Sequence, residues 1–366
     1  MKKTFLAAAV ISALVASTAA SAATVYDKDG TVLNVNGRIE AQWYNAGSYN
    51  NMSGNVGNND SSIYNWARMG MDGRSQLSSY ATAFGKMEFD VGDGDRKASN
   101  MSARDQFIGV DFGKFGKVQT GRYKSLLQTV VAVTDVLAGD GESGKTFVIG
   151  DSRNAGKLTY TWNGYGFLFG AEYQSAKDDY EEHGTKFDVE SGYSVIAGYT
   201  TPAVLFGPIS IKAGYSYMKG QDDNVKNQDI DSQDGWAASL AWGVPSAGWY
   251  FAGEYSYKET DYVDTAKYDL EQTGFEIVGK YSFANGLSLA TGYQYEKADI
   301  SSNVTYKSAQ VPVVVEYNFN PNFKVYAQAN IGVESSEVNG QIVTKNAVDP
   351  TRGEGNAFAV GARYTF

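Results

Sequence analysis

Apolar and polar positions alternate along much of the chain. Within 33–43 the odd positions are apolar or glycine, and the even positions are Asn, Asn, Arg, Glu and Gln. The same period recurs in 209–217, 249–257, 287–295 and 358–366. A two-residue period puts one face of a strand in an apolar medium and the other in water. It predicts sixteen strands, beginning near residues 32, 63, 80, 103, 116, 155, 166, 191, 208, 235, 248, 273, 286, 310, 322 and 356.

Two kinds of connection separate these strands. Short turns such as 244–247 and 284–286 alternate with long acidic loops such as 219–234 and 333–355. Each repeat of about 40 residues therefore holds two strands, whereas a propeller blade would hold four. A soluble sandwich could bury the same apolar face. The even strand number, the strand length of about 9–11 residues and the aromatic residues near strand ends favour a membrane barrel.

We therefore predict an all-β fold, a 16-stranded antiparallel transmembrane β-barrel. Pairing of the first strand with the last would leave no sheet edge unpaired in lipid. A barrel of this size is wide enough to enclose water. Four charged side chains are predicted by alternation to face that lumen: Arg38, Glu40, Lys212 and Glu254.

The first 22 residues are typical of a secretory signal peptide. Lys2 and Lys3 precede an apolar run over 5–15, and small residues at 20–22 supply a cleavage site. A transmembrane helix would need a longer apolar run, of about 20 residues. Cleavage after Ala22 is expected to export the chain and to leave 23–366 as the barrel domain. Loss of two lysines would change the formal charge from −10 to −12.

Composition leaves few enzymatic possibilities. The chain has no cysteine, which excludes disulfides, thiol catalysis and thiolate metal sites. Its one histidine, His183, stands in the charged stretch 177–186, which is typical of a solvated loop. The excess of acidic residues disfavours nucleic-acid binding, because that function requires a basic face. We expect no catalytic site, no metal and no cofactor.

One motif suggests a nucleotide. GDGESGKT, residues 139–146, matches the Walker A pattern of phosphate-binding loops. Such a loop requires a preceding strand and a following helix, whose N-terminus receives the phosphate. Residues 147–156 instead contain two glycines and two β-branched residues, and Asp140 and Glu142 would repel a phosphate. An exported chain would also meet no maintained pool of ATP, so we predict that no nucleotide binds.

Five strings follow one another along the whole chain: ATVYDKDGTVLNVNGRIEAQWY at the mature start, ARMG, GRY, TDVLAGDGE and the closing ARYTF. In this order and spacing the chain resembles the general diffusion porins of Gram-negative bacteria. The resemblance implies a homotrimer in the outer membrane, with the third extracellular loop (about 123–154) folded inward to narrow each pore. It also implies contacts with outer-membrane lipid, lipopolysaccharide, periplasmic chaperones and the barrel-insertion machinery.

The resemblance further implies a pore constriction, in which a basic wall faces acidic groups of the third loop. Motif by motif, four arginines correspond to that wall: Arg38, Arg68, Arg104 and Arg153. Alternation independently points Arg38 and Arg68 inward. Strand four alternates poorly, so the position of Arg104 depends on the resemblance.

The acidic side of the constriction departs from the family pattern. Asp135, in TDV, matches the first acid of the loop. The loop tip is AGDGESG where the family usually has Pro-Glu-Phe-Gly-Gly-Asp, so Asp140 and Glu142 are the candidates for the displaced second acid. At the end of the chain, Tyr364 and Phe366 match the signal that such porins present to the insertion machinery.

Three functions remain open on these grounds. The first is a porin for passive diffusion of ions and small hydrophilic solutes, made mildly cation-selective by its acidic outer loops. The second is a substrate-selective channel, which should carry an ordered run of aromatic side chains in the lumen. The third is a barrel with an adhesive or structural role. The aromatic residues with lumen parity are scattered rather than ordered: Tyr44, Trp66, Tyr80 and Phe84.

Overall fold

The strands of this chain form one antiparallel sheet that closes on itself. A computed structural model describes residues 22–46, 61–93, 101–137, 148–150, 152–182, 185–221, 230–263, 269–301, 304–333, 337–338, 341–342 and 356–366. Its strands are β1 (Ala23–Lys28), β2 (Thr31–Ala46), β3 (Ser61–Ser78), β4 (Ala81–Asp93), β5 (Met101–Asp111), β6 (Lys117–Tyr123), β7 (Asn154–Gly164), β8 (Phe167–Gln174), β9 (Lys177–Glu182), β10 (Thr185–Thr200), β11 (Ile209–Gly220), β12 (Ile230–Val244), β13 (Ala247–Tyr262), β14 (Leu270–Ser282), β15 (Leu287–Ser301), β16 (Val304–Asn320), β17 (Phe323–Gly332), β18 (Glu337–Val338), β19 (Gln341–Ile342) and β20 (Ala357–Thr365).

These segments make sixteen barrel strands. β1 and β20 lie end to end along one edge of β2, where Ala23 is opposite Val35 and Thr365 is opposite Arg38. β8 and β9 likewise share β10 as a partner and count as one strand. β18 and β19 pair only with each other. The predicted 16-stranded antiparallel barrel is therefore confirmed, and closure is by β2 and β20.

Many of the strands are longer than the predicted 9–11 residues, and β3 reaches 18 residues. Their hydrogen-bonded ladders continue into polar segments that were expected to be loops. The stretch from 177 is one example, because β9 pairs with β10 there and buries Tyr180 and Glu182. The prediction of a solvated loop was therefore wrong for 177–182, and His183 lies outside the described residues.

The two ends of the barrel differ in their connections. At one end, here the turn end, the strands are joined by short segments such as 165–166, 245–246 and 321–322. The opposite end is here the loop end. Outward-facing aromatic side chains pack together near both ends. Trp249 stacks on Phe251 near the turn end at a centroid distance of 5.5 Å, and Trp236 stacks on Tyr255 nearer the loop end at 5.0 Å. Two such bands are typical of a barrel in lipid.

The third loop, between β6 and β7, folds into the barrel and packs against its inner wall. It contains one turn of α-helix, α1 (Gln128–Val131). Leu126 lies over Gly170 of β8 and Leu127 over Gly214 of β11, where an added Cβ would lie 2.6 and 2.7 Å from a leucine methyl carbon. The two glycines therefore leave the space that the leucines fill. Within the described ranges, no helix is long and apolar enough to span a membrane.

Hydrogen bonds hold the loop against β12–β14. The Ser239 hydroxyl donates to the Val130 carbonyl at 2.7 Å, and the Tyr250 hydroxyl donates to the Val133 carbonyl at 2.6 Å. These bonds satisfy backbone groups that the loop would otherwise bury without partners. The inward-folded third loop is therefore anchored along the β8–β14 side of the lumen.

Candidate pore constriction

The inner wall of β2–β5 carries a row of charged side chains opposite the docked loop. Arg38 of β2 is directly opposite Arg68 of β3, and Arg68 is opposite Asp90 of β4. Directly opposed residues of adjacent strands point to the same face of a sheet. Arg38 and Arg68 therefore share the inner face, in agreement with their alternation in the sequence.

A β-bulge places two charges of β5 beside one residue of β4. The register passes from Met87 opposite Gln106 to Phe89 opposite Ala103, which leaves Arg104 and Asp105 together opposite Glu88. A bulge of this kind turns side chains that strict alternation would separate. This explains why alternation in the sequence did not locate Arg104.

Carboxylates within the wall neutralise its arginines. Arg68 Nε lies 2.9 Å from Asp90 Oδ1. Arg104 bridges two acids, with Nε 2.8 Å from Glu88 Oε1 and Nη1 2.9 Å from Asp90 Oδ2. All four side chains are largely shielded from solvent, so these pairs are screened less than surface pairs. The wall is consequently a network of paired charges rather than a purely basic surface.

A second group of ion pairs extends this network to the end of the third loop. Arg153 Nε lies 2.6 Å from Asp105 Oδ1, and Lys86 Nζ lies 2.9 Å from Asp105 Oδ2 and 3.0 Å from Glu88 Oε2. Burial and the charge of Arg104 lower the pKa of Arg153, while Asp105 opposes that shift. Asp105 therefore links Arg153, the last residue before β7, to the wall formed by β4 and β5.

Trp66 provides a platform for cations on the same face. The Arg38 guanidinium carbon lies 4.2 Å from the Trp66 ring centroid, and that of Arg363 lies 6.0 Å away. Arg363 also donates to Glu40 at 2.7 Å, and the Tyr326 hydroxyl donates to the other carboxylate oxygen. Glu40 points inward as predicted, but it is fully buried in this cluster and does not line water.

The loop acids are only partly described. Asp135 follows α1, its backbone N–H donates to the Ala132 carbonyl at 3.3 Å, and its side chain is exposed. Asp140, Glu142 and the whole GDGESGKT segment lie outside the described residues. Residues 130–133, which a phosphate-binding loop would need as a strand, belong to α1 and the turn that follows it.

Four wall residues that form these ion pairs were not identified from the sequence. Lys86, Glu88 and Asp90 occupy alternate positions on β4, so the two-residue period could have placed them inward with Arg68. Asp105 had no such signal, because the bulge shifts its orientation.

Tyr364 and Phe366 lie on the outer face at the turn end. Their rings stack at a centroid distance of 6.2 Å. The backbone of Phe366 exchanges two hydrogen bonds with Gly37 of β2, at 2.8 and 2.9 Å. The last residue therefore belongs to the seam between β20 and β2 that closes the barrel.

Two carboxylates lie beneath the third loop, away from the charged row. Glu254 of β13 is directly opposite Glu276 of β14. Glu276 accepts hydrogen bonds from Thr134 at 2.6 Å and Gln294 at 3.3 Å. Glu254 is 2% exposed, and neither of its carboxylate oxygens has a hydrogen-bond partner among the described residues.

The docked loop changes the environment predicted for two residues. Glu254 and Lys212 were expected to line water, and both face inward. The loop covers them, however, and Lys212 donates to the Thr129 carbonyl at 3.0 Å. The prediction of their direction is confirmed, and the prediction of a water-filled environment is wrong for Glu254, which is buried, whereas Lys212 stays partly exposed.

We expect Glu254→Met to strengthen the docking of the loop. The substitution keeps the side-chain volume and removes two buried oxygens without partners, a change worth about 1–3 kcal/mol. The matched variant Glu276→Met should have the opposite effect, because it removes the acceptor of Gln294 and the nearer of the two acceptors of Thr134. The midpoint temperature for heat-induced loss of the compact barrel on gels measures both effects. A lower midpoint for Glu254→Met would contradict the expectation.

The chain matches known porins over most of its length. Residues 7–332 match the Gram-negative porin family. The outer membrane porin protein OmpD of Citrobacter koseri is 28% identical over 379 residues, covering 99% of this chain and 99% of that protein. The structure of Salmonella typhi OmpF in complex with daunomycin has a TM-score of 0.72 at 20% identity and covers 94% of this chain and 100% of that one.

A further solved structure, the trimer form of OmpT from Vibrio cholerae, has a TM-score of 0.64 at 18% identity and covers 92% of this chain and 100% of that one. These structures share the closed barrel. The family match and the barrel agree with the localisation and the channel architecture expected above. The chain therefore belongs to the Gram-negative porins, the outer-membrane channels through which small hydrophilic solutes diffuse passively.

Proposed function

We propose that this porin narrows to a nearly neutral constriction and conducts small cations slightly better than anions. One side of the constriction is the charged row on β2–β5, and the other is the third loop. The wall arginines are Arg38, Arg68, Arg104 and Arg153, and the loop acids are Asp135, Asp140 and Glu142. The observation that carries the proposal is the docking of the loop on β8–β14, which leaves β2–β5 as the opposite, open wall.

Charge counting supports near neutrality. The wall has five cationic side chains, the four arginines and Lys86, against the carboxylates of Glu88, Asp90 and Asp105, a sum of +2. Between 124 and 152 the loop has four acids, Asp135, Asp140, Glu142 and Asp151, against Lys124 and Lys145, a sum of −2. The two sums cancel, and paired charges produce little field at a distance. The constriction therefore favours neither sign of ion.

The preference for cations over anions then depends on the acidic residues at the loop end. Four carboxylates form one row of cross-strand neighbours near that end, on the outer face of β12–β15 that also carries Trp236: Asp234, Glu259, Glu271 and Asp299. They add to the acidic residues of the long loops such as 219–234. Negative charge around the mouth raises the local concentration of cations. Its influence decays over a Debye length of about 8 Å at physiological salt. The preference for cations should accordingly weaken as salt is raised.

A planar-bilayer recording of the purified protein tests this function. We expect conductance to rise in groups of three steps, and the reversal potential in a dilute potassium chloride gradient to indicate a mild cation preference. The same gradient at tenfold higher salt should give a smaller cation preference. Such a decrease would show that the preference is electrostatic, because salt screens the charges around the mouth. A preference for chloride would show that the arginines dominate, and silent bilayers would contradict the channel function itself.

The lumen aromatics support a non-specific pore over a substrate-selective one. Trp66 is engaged with arginines, and Phe84 packs edge-on against Phe107 at 6.3 Å and covers Gly109. Tyr80 lies in the turn after β3, and the side chain of Tyr44 lies outside the described residues. These contacts give no continuous aromatic path for a sugar.

A homotrimer is part of the proposal. On β2–β4 the exposed large hydrophobic side chains are aliphatic or Met, with Trp43 the one aromatic among those described. The aromatic bands instead cover the outer surface of strands such as β12 and β13. A mainly aliphatic face with few interfacial aromatics suits a protein neighbour better than a membrane–water interface. The trimer form of Vibrio cholerae OmpT supports the same assembly for this chain.

The proposal also includes the processing and partners of the chain. Cleavage after Ala22 would start the mature protein at Ala23, the first residue of β1, which is paired with Val35 of β2. Lipopolysaccharide and phospholipid would surround the outer face, and periplasmic chaperones and the insertion machinery would assemble the barrel. The proposed channel has no enzymatic activity and binds no nucleotide.

A further inference from the structure

The turn between β10 and β11, residues 201–208, differs from the other turns. It has eight residues, TPAVLFGP preceded by Thr200, whereas the remaining described turns have two to five. It contains no charged residue. Val204 is 41% exposed, Leu205 is 87% exposed and Phe206 is 36% exposed. Such a run of exposed apolar side chains at the end of a barrel needs a nonpolar neighbour.

The backbone holds this turn in one defined shape. Val204 and Gly207 exchange two hydrogen bonds, at 2.8 and 3.2 Å, around the tip. Leu205 at the tip has a φ of 57°, a left-handed conformation that is unfavourable for a side chain of this kind. Thr201 N–H donates to the Ile209 carbonyl at 2.8 Å and closes the base. The fold therefore maintains the exposure of Leu205 at a conformational cost.

Contacts with β12 and β13 place the turn on the outside of the barrel. Phe206 stacks on Trp242 with a centroid distance of 4.2 Å and an angle of 24°, and it meets Phe251 edge-on at 6.0 Å. The Trp242 indole N–H donates to the Val204 carbonyl at 2.9 Å. Trp242 and Phe251 both belong to the outward face that carries the turn-end aromatic band. The turn is thus continuous with the surface that faces lipid.

The close approach of the turn to β12 depends on glycine. A Cβ at Gly207 would lie 2.5 Å from the Cα of Gly243. Two glycines therefore let the turn lie flat against the end of β12, with its apolar tip directed away from the lumen.

We propose that residues 203–206 insert into the inner leaflet of the outer membrane, where Val204 and Leu205 contact phospholipid acyl chains. The turn would extend the lipid-facing surface below the aromatic band over β10–β12 only, and so anchor that side of each barrel in the membrane. Lipid is the occupant because the turn continues the lipid-facing surface and carries no charge. The inference requires the membrane location and is independent of the proposed ion selectivity.

Single cysteines labelled with an environment-sensitive fluorophore test this anchor, because the chain has no cysteine of its own. Leu205→Cys is compared in phospholipid vesicles with two references. Ser246→Cys is the reference for water, because Ser246 is exposed in the neighbouring turn. Val195→Cys is the reference for lipid, because Val195 is 47% exposed on the outer face of β10. Compact mobility on unheated gels confirms that each labelled variant is folded.

We expect the label at position 205 to emit at a wavelength close to that at position 195. Nitroxide-bearing phospholipids should quench it severalfold more than the label at position 246, and iodide present on both sides of the vesicle should quench it severalfold less. An emission and quenching pattern like that of position 246 would overturn the inference. It would show instead that the turn faces the periplasm and is available to a protein partner.

Discussion

Removal of Phe366 should reduce the amount of folded trimer in the outer membrane by at least tenfold. The deletion eliminates both backbone hydrogen bonds to Gly37, worth about 0.5–1.5 kcal/mol each, at the seam between β20 and β2. It also uncovers Gly37, because a Cβ there would lie 2.6 Å from the Phe366 ring. An aromatic ring over a strand glycine is a recurrent means of stabilising a sheet at such a position. A loss of about 1.4 kcal/mol already corresponds to a factor of ten.

A control variant and a refolding experiment separate the possible causes of this loss. Phe366→Tyr keeps the ring and the backbone bonds, so it should assemble almost as well as the unaltered chain. Refolding of the deletion variant in detergent separates a structural defect from a defect in recognition by the insertion machinery. Poor refolding would mean that the deletion weakens the seam between β20 and β2. Good refolding with poor assembly in cells would mean that the insertion machinery no longer recognises the end of the chain. Heat-modifiable trimer at unaltered levels in cells would show that both explanations are wrong.

The combined substitution Glu88→Gln and Asp90→Asn should convert the pore to an anion-preferring channel. These carboxylates neutralise Arg68 and Arg104 at distances of 2.8–2.9 Å. Without them the charge of the wall rises from +2 to +4, while the loop opposite keeps its −2. A unit charge about 5 Å from a permeating ion in water contributes roughly 0.8 kcal/mol, about fourfold in ion concentration. Two such changes exceed the mild bias expected from the acidic mouth.

The reversal potential in a dilute potassium chloride gradient should therefore change sign in this variant. Asp111→Asn is a suitable control, because Asp111 pairs with Lys117 at 3.2 Å beside a short turn and lies outside the charged network. It should leave the sign of the reversal potential unaltered. A double variant that still prefers cations would mean that the β2–β5 wall does not border the narrow part of the pore.

Much of the barrel was predictable from short-range pattern. Strand number, approximate strand positions and the inward direction of Arg38, Glu40 and Glu254 all follow from a two-residue period. That period is a local property, because each successive side chain of a strand points to the opposite face. Strand length was predicted less well. The ladders continue through polar segments such as 177–182, where pairing with β10 outweighs the polar composition.

The charged row shows where local pattern becomes insufficient. Alternation could have identified Glu88 and Asp90, but it could not place Arg104 and Asp105, because one bulge changes the relation between position and face. The pairing of Arg153 with Asp105 joins residues 48 positions apart. Which arginines are neutralised therefore depends on cross-strand register, a property of two strands together.

The two-residue period, the strand spacing, the positions of the aromatic residues and the signal-like first 22 residues together predicted an exported barrel with an apolar exterior and a charged interior. These features can be read locally because lipid outside and water inside act on each strand separately. They could not show that the third loop would cover Glu254 and Lys212. That outcome depends on contacts between distant segments, such as Leu127 over Gly214 and the bond from Thr134 to Glu276, which spans 142 positions. Such contacts require matching shapes and hydrogen-bond partners on two surfaces, and those exist only once the barrel has closed.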